Sequence, residues 1–146
     1  MSEKDTIKLL RACGAEARTG IAALTDALRC AEDTRLRLII AESRNERAKT
    51  GRIVNGLLDA YGYKQRYPAH MSSGLHRLKT AIIANTNPTD SALAKLVERG
   101  CGAGIKYLSR RIGRFDGASA AAGKTACDLI ESQRQLSERI QPYTLL

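Results

Sequence analysis

Seven residues near the start of the chain, Ile7, Leu10, Gly14, Ala17, Ile21, Leu24 and Leu28, stand at alternating steps of three and four. Only a helix gathers such positions on one side, so the spacing predicts an amphipathic helix over about 4–30 that must bury that side against a partner. A second stripe, Leu36, Ile39, Ser43, Glu46, Thr50, Ile53, Leu57 and Ala60, predicts a helix over about 34–61, with Gly62 as its left-handed stop. The connection between them is the short CAED, which makes the pair an antiparallel hairpin.

Residues 62–71, GYKQRYPAHM, have no period and contain Pro68, so they read as loop. Ser72 or Ser73 then caps a short helix over about 73–85, with Leu75, Leu78 and Ile82 on one side and an end before Pro88. Thr89 or Asp90 caps a helix over about 90–112, whose stripe runs Leu93, Leu96, Val97, Gly100, Gly104, Tyr107, Leu108 and Ile112. After the turn GRFDG, a helix over about 119–140 carries Ala122, Ala126, Leu129, Gln133, Leu136 and Ile140. Hairpin, long crossover and hairpin make an all-α, ferritin-like four-helix bundle, with residues 1–146 as one domain and a short extra helix in the crossover. The composition agrees: there is no Trp, one Phe and three Pro, and Ala, Leu, Ile and Arg dominate.

MSEKDTIKLL has no apolar stretch of the kind that directs secretion, and no run of about 18 apolar residues occurs, so the expectation is a cytoplasmic protein with no membrane span. Cys13, Cys30, Cys101 and Cys127 are widely separated with no C-x-x-C pair, which suits reduced, mostly buried thiols. Enzyme motifs are missing: there is no G-x-S-x-G, phosphate-binding glycine loop or H-E-x-x-H.

Three stretches carry a resemblance. LLDAYG at the end of the second helix, SGLHRLKTAI in the crossover and LVERGCGAGIKYLSRRI in the third long helix resemble an uncharacterised bacterial ferritin-like four-helix-bundle family, a domain of unknown function distantly similar to rubrerythrins. With the helix order, the resemblance spans nearly the whole chain. It implies the bundle fold and no established activity. Members often carry an acidic residue just after E-R-G, where this chain has Cys101.

A di-iron or di-manganese centre in such a bundle needs inward carboxylates from all four helices, with Glu-x-x-His on two of them, because two close cations demand several bridging carboxylates. Glu42, Glu46 and Glu131 are followed at three by Asn45, Lys49 and Arg134, so no such pair forms. Glu16, Glu98 and Glu131 lie off the apolar stripes and are expected to face solvent. Glu46 alone falls on one, which makes it the single candidate metal ligand; internal pairing with Arg47, Lys49 or Gln133, or a tilt to the bundle edge, is the favoured reading. His70 and His76 are six apart and share no helical register.

Gly100, Gly102 and Gly104 each cost a helix roughly 1 kcal/mol relative to Ala, so Gly100 and Gly104, four apart on the inward side, are expected to admit close helix packing. Lys95, Arg99, Lys106 and Arg110 form a basic line, on a chain of formal charge +9, for which a solvated face is the favoured reading and phosphate contact the alternative. The leading expectation is therefore a metal-free bundle serving as a structural or protein-interaction module, a homo-oligomer or a protein's partner, without cofactor or catalytic residues. The alternatives are an iron- or manganese-binding redox or storage bundle, and a non-specific nucleic-acid binder.

Overall fold

The computed structural model describes residues 1–63 and 88–145. Four long helices account for most of them: α1 (Glu3–Cys30), α2 (Thr34–Asp59), α3 (Asp90–Arg114) and α4 (Ala120–Ile140), followed by a 3-10 turn at Gln141–Leu145. The expected helix over about 73–85, and with it His70 and His76, lies outside the described residues.

Each helix begins with an oxygen-bearing side chain that satisfies an otherwise unpaired backbone N–H. Ser2, Asp33, Thr89 and Ser119 accept from the backbone N of Asp5, Leu36, Ala92 and Ala122 at 3.1, 2.9, 3.1 and 3.2 Å. α2 stops because Gly62 takes a φ of +68°, which lets the Tyr63 N–H reach back to the Leu58 carbonyl at 3.1 Å.

Hydrogen bonds between distant parts of the chain fix the helix directions. At one end, Ser2 N donates to the Gly117 carbonyl (2.6 Å), Gly117 N to Asp5 (3.1 Å) and Ser119 N to Thr6 (2.9 Å), so α1 begins where α3 ends and α4 begins. At the other end, both carboxylate oxygens of Asp90 accept from the loop between α1 and α2, from Glu32 N at 2.9 Å and Asp33 N at 3.0 Å. Thus α1 and α4 run one way and α2 and α3 the other. α2 ends where α1 begins, since Val54 and Leu58 pack with Leu9, Leu10, Leu108 and Leu129, while α3 starts at the opposite end.

The interior consists of two apolar clusters. One holds Leu24, Leu36, Ile40, Leu93, Val97 and Ile140 among others; the second holds Leu9, Leu10, Val54, Leu58, Leu108 and Leu129. Between them the helices present polar side chains.

Two expectations about orientation are corrected. Glu16, expected in solvent, is fully buried, because α1 is covered on nearly all sides: every residue from Ala12 to Ala17 is buried. Their small side chains let neighbouring helices close around α1, and a position one step off its stripe is still inside. Glu46, expected on the inward stripe, is exposed. The buried residues of α2 are Leu36, Ile39, Ile40, Ser43, Arg47, Val54 and Leu58. Their line steps by four from Ser43 to Arg47 where the apolar pattern suggested three, and that rotation buries Val54 and Leu58 and turns Ile53 outward.

Candidate functional site

The polar layer lies midway along the bundle, between the two apolar clusters. α1 supplies Glu16, α2 Ser43 and Arg47, α3 Cys101 and Gly104, and α4 Gln133. Glu16 and Gln133 are 0% exposed and Arg47 1%. Gln133 Nε2 donates to Glu16 Oε1 at 3.3 Å, joining α4 to α1 across the interior. Arg47 Nη1 donates to the Ser43 hydroxyl one turn earlier, and at 3.4 Å to the Ser43 carbonyl.

Gly104 makes this layer possible. A Cβ at that position would stand 2.8 Å from Gln133 Cδ and well inside contact distance of Gln133 Oε1 and Glu16 Oε1. The space released by the glycine is therefore filled by the Glu16 and Gln133 side chains. Gly100 is buried on the same side. Gly102 faces out, and nothing lies within 4 Å of where its Cβ would be.

Electrostatics follow from burial. Removal from water pushes the Arg47 pKa down, while Cys101, Glu16 and Glu46 act on it in the opposite sense. A guanidinium starts so high that it remains a cation. The same burial raises the thiols, Cys13 to about 12 and Cys101 to about 11, with Glu16 contributing in both cases. Neither thiol is a nucleophile at neutral pH.

Glu46 and Glu42 sit at the outer seam of α2 and α4. Glu46 accepts from the Ser132 hydroxyl at 2.8 Å and Glu42 pairs with Arg139 at 2.8 Å. The cleft beside them, lined by Ser43, Glu46, Ser132, Gln135, Leu136 and Arg139, measures about 20 Å³. That is room for a water molecule and no larger ligand. Among the described residues no three His, Cys, Asp or Glu side chains gather where they could share a metal ion.

Two residues of the layer lie off the expected apolar stripes. Arg47 enters the sequence reading only as a pairing partner for Glu46, and Glu16 stands beside its stripe and is expected in solvent. Gln133 lies on the α4 stripe and is found on it. Lys95, Arg99, Lys106 and Arg110 are all exposed along α3. Among the described residues no helix is long and apolar enough to cross a membrane. No family model, curated protein or solved structure matches the chain.

Proposed function

We propose that this chain is a ferritin-like four-helix bundle without a metal centre, acting as a structural or protein-interaction module. The composition of the polar layer carries this reading. In a di-metal bundle the corresponding layer converges several carboxylates on two cations. Here one carboxylate, Glu16, shares the layer with the Arg47 cation, a carboxamide, a hydroxyl, the protonated thiol of Cys101 and a glycine. A fixed guanidinium repels a divalent ion and cannot ligate it, so these residues do not fit an iron or manganese pair. The helix directions, with α2 ending and α3 beginning at opposite ends, support the ferritin-like connectivity and the family resemblance.

With Gln133 bonded to Glu16 and Arg47 to Ser43 in the interior, the surface is where this reading places function. Leu38 and Ile53 project from α2 at 56% and 48% exposure. They stand about 60° apart around the helix and about 22 Å apart along it, two separate apolar points of contact for a second copy or another protein. Metal analysis of protein purified without chelator tests the reading. Substoichiometric iron and manganese, unchanged in Glu16→Ala, is the expected result; near-stoichiometric metal that Glu16→Ala abolishes overturns it.

A further inference from the structure

We infer that the outer ridge of α3 docks the phosphate backbone of duplex nucleic acid, without reading its sequence. This goes beyond the proposal above and rests on a different part of the molecule, so each holds or fails separately.

Lys95, Arg99, Lys106 and Arg110 are all exposed. At 3.6 residues per turn they fall within an arc of about 60° and span about 22 Å along the helix, as two pairs whose members are about 6 Å apart. Among the described residues, none of the four has an ion-pair partner; the cations that do pair at the surface include Arg29 with Asp26, Lys124 with Asp128, Arg134 with Glu131 and Arg139 with Glu42. Neither acid of α3 enters the arc. Asp90 is held by the α1–α2 loop, and Glu98 lies beyond its edge, half-buried. The residues between the cations are small: Gly102 and Gly113 have open space where a Cβ would be, and Ser109 lies beside them. The ridge is thus low, straight and of one sign.

Its chemistry selects the partner. Duplex DNA offers one negative charge for each ~1.7 Å of axis, so a straight ridge of this length meets more phosphates than it has cations. An acidic protein segment would need an apolar anchor for stable docking, and the arc holds none. An anionic membrane would attract the ridge by charge alone, because the apolar face of α3 that could add insertion, with Leu93, Val97 and Leu108, is buried in the core. Single strands gain most from aromatic stacking platforms, and the nearby aromatic side chain Tyr107 is covered by Arg111, whose guanidinium carbon lies 4.1 Å from the ring centroid.

The test is fluorescence anisotropy with a mixed-sequence 20-base-pair duplex, titrated from 50 to 200 mM salt. Four phosphate contacts give a slope of about −3.6 in log K against log salt, which is a loss of roughly 150-fold over that range. Two quadruple variants of equal net charge are compared: Lys95→Gln/Arg99→Gln/Lys106→Gln/Arg110→Gln on the ridge, and Lys4→Gln/Arg35→Gln/Lys49→Gln/Arg52→Gln elsewhere. Circular dichroism checks that both fold. The ridge variant should bind at least ~10-fold more weakly than the control at 50 mM salt and lose most of the slope, since each phosphate contact contributes about one unit. Equal losses in the two variants would reduce the effect to net charge and overturn the proposal. So would no binding by the parent at 50 mM salt, or binding to phosphatidylserine vesicles or poly-glutamate in preference to the duplex.

Discussion

Gly104 shows most directly how one residue decides what the interior holds. Because a Cβ there would collide with two buried side chains that are hydrogen-bonded to each other, Gly104→Ala should destabilise the protein by about 1–3 kcal/mol and Gly104→Leu by at least as much, despite the better helix propensity of both residues. Gly102→Ala, with open space around it, should instead stabilise by about 0.4–1 kcal/mol. Urea unfolding of the three variants measures the contrast, and a stabilised Gly104→Ala would show that Glu16 and Gln133 can move aside freely. Arg47 makes a second case. Removing one member of a buried charge set costs about 3–5 kcal/mol because the opposite charge stays behind, so Arg47→Met should fall in that range. Arg47→Met/Glu16→Gln should lose less than the two single losses added together, and an additive result would show that the two charges do not sense each other. The apolar spacing could not reveal this layer, because periodicity identifies a face by its apolar members. Where Arg47 replaces one of them, the pattern points to its neighbour Glu46 instead.

Among the helices, legibility depended on how many sides an element buries. α4 buries one stripe, Ala122, Ala126, Leu129, Gln133, Leu136 and Ile140, and the sequence spacing names those residues. α1 is enclosed on most sides, and a one-sided reading misplaced Glu16. The start of α3 was legible for a local reason, since Thr89, one of the two caps expected there, acts within three residues of itself. The role of Asp90 was not, because its partners Glu32 and Asp33 lie far away in sequence. Asp90→Ala removes two hydrogen bonds to a charged acceptor and an acid from the first turn of α3. A loss of about 1–3 kcal/mol is expected by thermal unfolding, for groups lying at the surface. A wild-type melting temperature in this variant would show that water replaces the carboxylate without penalty.

For the molecule as a whole, the buried thiols set an upper pH limit. Cys13 and Cys101 ionise at about 12 and about 11 in the fold against 9.0 unfolded. Their contribution is complete below pH 9 and is lost as pH rises through those values, because the unfolded chain releases protons that the folded one retains. Stability should fall by roughly 1 kcal/mol per thiol between pH 8 and 10, and Cys13→Ala/Cys101→Ala should flatten that decline while lowering stability at pH 7. A thiol reagent applied to native protein at pH 8 should label exposed Cys127 first and reach Cys13 and Cys101 only on unfolding.

The hydrogen bonds at the two ends of the bundle carry one more consequence. Gly117 and Ser119 complete the start of α1, and Asp90 fastens the loop that joins α1 to α2. Each hairpin thus holds donors or acceptors whose protein partners lie on the other, as the two subunits of a heterodimer do. Residues 1–63 and 88–146, produced as separate polypeptides, should each be poorly ordered alone and recover cooperative unfolding as a one-to-one complex. Covalent continuity would then have been exchanged for mass action, and the melting temperature of the reassembled pair would climb with concentration where that of the intact chain stays constant.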